Sequence, residues 1–428
     1  IVLFSGIPIA FGLCFVSIVL LVSFEGFQML DVFAETFYAG LNSFVLLSIP
    51  MFILMGMAVA NSPAGKDLYT GLDRWLWRVP GGLVISNIGA CSIFAALSGS
   101  SPATCAAIGT MGIPEMRKRG YSDQIATGTI AAGGTLGVLI PPSIVLIVYG
   151  IATGTSIGRL FLCGLIPGFM LAGMFAVWAL IHSYFIDKDS AKALKNRTPP
   201  TLKEKLEVLP RILPFLAIIV GVLYVLYGGV ATPSEASGVG AFLVFVLIAV
   251  VYRIYQPKKI WNIVKVSMKE SVMIMFIIAA SYLFAFTLSQ LYVTQSLAQS
   301  MVELSSNKWV VFILINIFLL IAGFFLPPVA VIVMTSAILL PVITTLGFDP
   351  YWFAIVFTIN MEIGLITPPV GLNLYIIKGI TPDVSLSEIL KGSIPFMIIM
   401  ALAIVILCIF PEIVTWLPDK IMGKDLGF

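Results

Sequence analysis

The sequence predicts an all-α integral membrane protein with an inverted-topology repeat, two re-entrant helical hairpins and two broken transmembrane helices. Three observations predict it. Of the 428 residues, 59% are hydrophobic and 11% charged, with mean hydropathy +1.07, a balance that soluble domains do not have. Apolar runs of bilayer-spanning length recur along the chain. Two of the apolar segments carry the same interruption, Gly137-Val138-Leu139-Ile140-Pro141-Pro142-Ser143 and Gly364-Leu365-Ile366-Thr367-Pro368-Pro369-Val370. A constant offset of 227 positions also maps Pro114 onto Pro341 and Gly120 onto Gly347. Matches of this kind mark an internal repeat. Duplicated Gly/Pro breaks inside membrane segments point to a binding site between the two halves.

Plain crossings are expected at about 2–23, 43–61, 162–184, 210–228, 236–252, 271–290 and 393–411. Broken crossings are expected at about 123–151 and 350–378. The segments 81–116 and 308–342 each hold two short apolar runs joined by a turn signal, Leu97-Ser98-Gly99-Ser100-Ser101-Pro102 and Leu326-Pro327-Pro328. They read as hairpins that enter and leave on one side. With nine crossings and the N-terminus inside, all of the 24 Lys plus Arg except Arg159, Lys308, Lys420 and Lys424 fall on the inner side, as the positive-inside rule requires. The first repeat then covers 1–186, and 187–228 forms a cytoplasmic amphipathic linker plus an extra crossing. That crossing inverts the second repeat, 229–415, and 416–428 is a periplasmic tail. The segments 62–78, 187–207 and 256–269 read as amphipathic helices in the inner interface, with Trp75, Trp77 and Trp261 beside Lys and Arg. The chain begins at Ile1 without a start methionine, so upstream residues are expected; no cleavable signal stands out.

The five cysteines lack ligand-like spacing, and His182 is the only histidine. His-based metal sites and catalytic His pairs are therefore unsupported. Within lipid, a non-helical backbone persists only where it is buried or lines a cavity. The carbonyls exposed at the breaks suit a small hard cation such as Na+, and the half-helices that restart at Ser143 and Val370 present N–H groups to an anion. The first tip adds the hydroxyls of Ser98, Ser100, Ser101 and Thr104, and Pro102 opens the helix that follows. The second tip has none, so Pro327 would act through its backbone, with Thr367 and Asn373 as the polar side chains on that side. Glu362 is a carboxylate near mid-crossing, two residues before Gly364. Intramembrane carboxylates are functional by default. The alternative is a neutral acid bonded to the neighbouring break. With no Lys or Arg near mid-depth, an anion would rely on helix N-termini, hydroxyls and bound Na+.

At these residues the chain resembles the large membrane subunit of TRAP transporters, the DctM-like family. The resemblance rests on Leu97-Ser98-Gly99-Ser100-Ser101-Pro102-Ala103-Thr104, Ile140-Pro141-Pro142-Ser143-Ile144, Gly158-Arg159-Leu160-Phe161, Thr232-Pro233-Ser234-Glu235-Ala236 and the run from Gly364 to Asn373. It implies an elevator-type, Na+-driven importer of an organic acid in a bacterial inner membrane, with sialic acid favoured and a C4-dicarboxylate as an alternative. It implies two or more Na+ ions and no organic cofactor. The partners it implies are a small four-helix membrane subunit and a soluble periplasmic binding protein, with no role for nucleic acid.

The expected Na+ ligands are Ser98, Ser100, Gly137, Ile140 and Pro141 at one site, and Gly364, Ile366, Thr367 and Pro327 at another. The expected substrate contacts are Ser101, Thr104, Ser143, Glu362 and Asn373. An ion channel with re-entrant filter loops is the main rival. An intramembrane enzyme using Glu362 lacks a second catalytic group at matching depth.

Overall fold

The computed structural model describes residues 7–77, 79, 81–182, 199–304 and 307–424. Among them the regular elements are all helical. The first half holds α1 (Ile9–Phe24), α2 (Leu30–Ala39), α3 (Ser48–Ala60), α4 (Ala64–Trp75), α5 (Gly82–Ser98), α6 (Ser101–Lys118), α7 (Asp123–Leu139), α8 (Ile144–Thr153) and α9 (Ile157–Ile181). Then come α10 (Leu202–Tyr227), α11 (Pro233–Tyr252), α12 (Pro257–Gln290), α13 (Val293–Leu304), α14 (Lys308–Phe325) and α15 (Pro328–Thr345). The chain continues through α16 (Pro350–Leu365), α17 (Leu372–Ile380), α18 (Leu386–Ile409) and α19 (Glu412–Met422). Eight helical segments among the described residues are long and apolar enough to cross a membrane.

Several helix starts follow directly from sequence. Thr201 with Glu204, Thr232 with Glu235 and Ser385 with Glu388 each form a capping box. The hydroxyl accepts an orphan N–H, and the glutamate reaches back to the cap N–H. The Thr232-Pro233-Ser234-Glu235 motif is thus the start of α11. Arg159 of the Gly158-Arg159 motif is buried; it donates to Asp419 and to the Gly423 carbonyl (2.8 Å), and so fastens the end of α19 to the start of α9.

Local structure recurs at the sequence offset. Helices α6 and α15 are both 18 residues long, start 227 positions apart and carry Pro114 and Pro341 inside. Gly120 and Gly347 follow them with φ of 80° and 74°, and the next residue in each case bonds back to close the helix end (Tyr121 N to Met116 O, 3.1 Å; Phe348 N to Ile343 O, 3.0 Å). Pro141–Pro142 and Pro368–Pro369 are both cis. Packing is reciprocal: α6 lies on α17, and α15 lies on α8. The two helices that precede the breaks form the centre of the molecule, with Ile125–Leu139 of α7 and the whole of α16 buried. Around them, α11 packs on α3, α1 on α12 and α10 on α4.

Some boundaries differ from the sequence reading. The expected interfacial segment 256–269 is not separate from the crossing 271–290; both belong to the 34-residue α12, because no Gly or Pro follows Pro257 to stop the helix. Likewise α10 runs unbroken from Leu202, through Pro210 and Pro214. Of the expected segment 187–207, residues 187–198 lie outside the described residues. The helices α2 and α13 were not anticipated, and α19 takes in much of the expected tail. The pair 27–39 and 44–60 meets at 55°. The segment 62–78 holds α4, which is tied by ion pairs. Arg119 grips Asp73 (3.0 and 3.1 Å), and Asp67 takes a bond from Tyr252 (2.9 Å). Arg117 bridges Asp123 (2.8 Å) and Asp383, and this contact holds the Asp383 carboxyl below the usual carboxylate range.

Candidate functional site

The first hairpin tip is a short polar turn. Helix α5 ends at Ser98, Gly99 is left-handed (φ 60°), Ser100 is extended and α6 starts at Ser101 with Pro102 in its first turn. Ser98 Oγ and Thr104 Oγ1 lie 3.0 Å apart, and Thr104 donates to the Ser100 carbonyl at 2.8 Å. Ser98, Ser101 and Thr104 are buried and Ser100 is half-buried. The predicted Ser98, Ser100 and Thr104 therefore form one cluster of neutral oxygens.

This tip rests on the first break. A Cβ at Gly99 would stand 2.8 Å from the Pro142 carbonyl oxygen, and one at Gly137 would stand 3.0 Å from Ser100 C and O. Only glycine permits this approach. Pro141 and Pro142 have no N–H, so the carbonyls of Gly137 and Val138 lose their helical donors. The Ser143 hydroxyl donates to Val138 O and accepts from Leu146 N (3.3 Å), capping α8. Ser143 thus has an established structural role. The carbonyls of Ile140 and Pro141 take no backbone N–H among the described residues. The tip therefore meets the break at the Pro142 carbonyl and at Gly137.

The second break is built differently. Val370 stands where Ser143 does, so the Leu365 carbonyl loses its donor to Pro369 and receives no hydroxyl in exchange. The N–H of Val370, which would serve the Ile366 carbonyl in a helix, donates to Phe324 O at 3.2 Å. Gly364 abuts Gly323 of α14 closely enough that a Cβ would lie 2.5 Å from its oxygen. The Thr367 hydroxyl donates to Ile363 O at 2.6 Å and lies 3.8 Å from the Met397 sulfur. Ile366 is buried, Thr367 half-buried, and Pro368, Pro369 and Val370 are exposed, whereas the first break is buried throughout. Pro327 is exposed, and its carbonyl accepts from Ala330 N (3.0 Å) and Val331 N (3.2 Å) at the start of α15. The group that reaches the break is the Phe324 carbonyl, three residues earlier.

The two halves join at Asn373. Its Nδ2 donates to Ser101 Oγ (2.8 Å) and to Ala131 O (3.1 Å), and Ser101 Oγ lies 3.2 Å from Oδ1. Both side chains are fully buried. Two predicted substrate contacts, 272 positions apart, are therefore each other's partners.

Glu362 is also fully buried, and neither carboxylate oxygen has a hydrogen-bond partner among the described residues. It is thus not within hydrogen-bond reach of Ser101, Thr104, Ser143 or Asn373. An ionised carboxylate in such surroundings requires a counter-charge. Asn360, on another face of α16, bonds to Asn316 and to Val356 O. Sequence reasoning missed Gly99, Gly323, Phe324 and Ala131. Gly99 was legible as a turn, but Phe324 and Ala131 act through carbonyls, which leave no side-chain signal.

A family model described as "Tripartite ATP-independent periplasmic transporter, DctM component" matches residues 1–413. The chain belongs to the DctM family. It is 34% identical to the C4-dicarboxylate TRAP transporter large permease protein DctM of Vibrio cholerae, over 98% of this chain and 96% of that protein. It is 28% identical to the sialic acid TRAP transporter large permease protein SiaM of the same organism, over 98% and 97%. Among solved structures, the Alcanivorax borkumensis YdaH transporter superposes with TM-score 0.66 at 12% identity, covering 99% of this chain and all of that one; the likeness concerns fold. Relatives of this DctM chain are named as permeases rather than enzymes, and a membrane transporter component is what the family membership establishes.

Proposed function

We propose that this chain is the transport subunit of a Na+-coupled importer of a small organic anion, with a C4-dicarboxylate ahead of sialic acid. The order of substrates follows the greater identity to a relative named for C4-dicarboxylates. The observation that carries the reading is the Ser101–Asn373 junction, set between two unwound breaks whose carbonyls are freed by prolines. The donors fit Na+: they are neutral hard oxygens, from Ser98, Ser100, Gly137, Ile140 and Pro141 at one break and Leu365, Ile366 and Thr367 at the other. Bound Na+ would supply positive charge where the membrane interior offers no Lys or Arg, and Glu362, buried in α16 without a hydrogen-bond partner among the described residues, is the carboxylate that would balance it. Helix N-termini of α6 and α17 face the anion. Reciprocal packing of the two halves supports an inverted repeat and alternating access of elevator type. The tripartite family description supports a small membrane subunit and a soluble periplasmic binding protein as partners, and a bacterial inner membrane as the setting. The distribution of Lys and Arg supports a cytoplasmic N-terminus.

The test is uptake into proteoliposomes holding the chain and its small membrane partner, with binding protein outside. Labelled succinate is expected to accumulate only with both binding protein and an inward Na+ gradient. Accumulation of sialic acid instead would reverse the substrate order. Ion conductance without saturable uptake of any acid would overturn the transporter reading. Glu362→Gln is expected to cut uptake at least about tenfold and to raise the Na+ required for half-maximal rate, a loss on the order of 1.4 kcal/mol of cation binding. An unchanged rate and unchanged Na+ dependence would remove Glu362 from coupling.

A further inference from the structure

Helices α14 and α16 run side by side in the same direction. Their contacts follow chain order on both: Phe312 on Trp352 (ring centroids 5.1 Å apart), Asn316 on Asn360, Gly323 on Gly364, and Phe324 O on Val370 N. Of the side-chain contacts in this series, only the asparagine pair is polar. Asn360 Nδ2 donates to Asn316 Oδ1 and to Val356 O (3.3 Å), and Asn316 Nδ2 donates to Phe312 O (2.7 Å). Asn360 is buried. Asn316 is the only polar residue from Val310 to Phe325, and it stands among the exposed Leu314, Ile317 and Phe318. An amide in such a place costs free energy unless it is bonded.

The first half packs without an equivalent pair. At the offset of 227 positions, Asn316 corresponds to Gly89 and Asn360 to Gly133. Helix α5 packs on α7 with no hydrogen-bonding side chain at either position. The breaks differ in step with this. Ser143 closes the first break within its own segment. The second break has Val370 there, and its N–H depends on Phe324 O of α14 at 3.2 Å. The amide pair thus occurs in the half whose break leans on a neighbouring helix.

That dependence demands a fixed register between α14 and α16. A slip of one residue along the axis is about 1.5 Å, enough to break the Val370 to Phe324 bond. The other contacts resist such a slip poorly. Gly323 and Gly364 carry no side chains, and Met361, whose tip lies against Gly323, is flexible. Aromatic pairs keep their attraction over a range of centroid distances. A side-chain amide pair is directional, and a buried asparagine sets axial register in paired helices.

We propose that Asn316 and Asn360 are positioning residues that set the axial register of α14 on α16 and so hold the second break in its Na+-binding form. The link to Na+ rests on the transport function proposed above; the register does not.

The test combines hydrogen–deuterium exchange with Na+-dependent uptake, both on the chain purified with its small membrane partner. Pro368 and Pro369 have no N–H, so exchange across 367–370 reports Thr367 and Val370 alone. Asn316→Leu/Asn360→Leu removes both partners together and leaves neither amide orphaned, so its thermal midpoint is expected to stay close to that of the parent. Its Val370 amide is expected to exchange about three- to tenfold faster, and the Na+ needed for half-maximal uptake to rise by a similar factor. Asn316→Ala/Asn360→Ala replaces it if the leucine variant does not elute as a single species. Unchanged exchange at Val370 would overturn the register role whatever transport does. Faster exchange with an unchanged Na+ requirement would overturn the link to Na+. Faster exchange throughout α14 with a lowered thermal midpoint would reduce the pair to a general helix contact. Uptake by the parent that ignores Na+ would count against the transport function instead, and the exchange at Val370 would still decide the register.

Discussion

Replacing Asn373 by leucine is expected to abolish transport while leaving a protein that still inserts. Asn373 is fully buried and contributes three polar contacts, two with Ser101 and one to Ala131 O. Leucine nearly preserves the volume but orphans the buried Ser101 hydroxyl, worth about 1–3 kcal/mol when unsatisfied, and takes one donor from Ala131 O, which keeps its place in the α7 helix. That loss falls on the polar junction between the first hairpin tip and α17. A uniform loss of stability would lower the thermal midpoint and the yield together. A loss of the junction alone would lower uptake per folded molecule at least about a hundredfold. Ser101→Ala should then add little to Asn373→Leu, because residues sharing one interaction are not additive. Additive effects in that double variant, or uptake within twofold of the parent in Asn373→Leu, would sink the role given to the pair.

Gly364→Ala is the second change with a large expected effect. The added methyl would lie 2.5 Å from Gly323 O, 2.7 Å from its carbonyl carbon and 3.0 Å from its Cα. All three are backbone atoms, so no rotamer change relieves the clash. Helix α14 must move off α16, and the Val370 N to Phe324 O bond (3.2 Å) is strained with it. Overpacking of this kind typically costs about 1–3 kcal/mol. The Leu365 and Ile366 carbonyls directly follow the clash on α16, so Na+-dependent uptake is expected to fall more than stability does. Gly173→Ala serves as the control, since a Cβ there meets nothing within 4 Å. It should be neutral or slightly stabilising, because alanine favours the helix over glycine by about 1 kcal/mol. If the two alanine variants transport equally well, the close contact at Gly364 has no part in the cycle.

The two breaks differ in a way that the shared motif conceals. Ser143 closes the first break by bonding Val138 O and capping α8. Val370 cannot do either, and its backbone turns to Phe324 instead. One break is therefore stitched within itself and buried, while the other is tied to a neighbouring helix and exposed at Pro368 to Val370.

The sequence alone determined the membrane class, the local features that recur 227 positions apart and the positions of both breaks. These depend on local properties: apolar run length, prolines that cannot donate, glycines that tolerate left-handed backbone. The polar turn at Ser98–Ser101 and the helix start at Pro102 were legible for the same reason. The family could also be named from its motifs. What the tertiary structure decided was partnership. That Ser101 meets Asn373, that Gly364 leans on Gly323, and that Phe324 rather than Pro327 reaches the second break all depend on contacts between segments far apart in the chain. Carbonyl oxygens do most of this work. Every residue has one, so no pattern of side chains reveals which will be freed and which will be matched. Glu362 stands on both sides of this line. Its place in an apolar crossing marked it in the sequence, but only packing left both of its oxygens without a hydrogen-bond partner among the described residues.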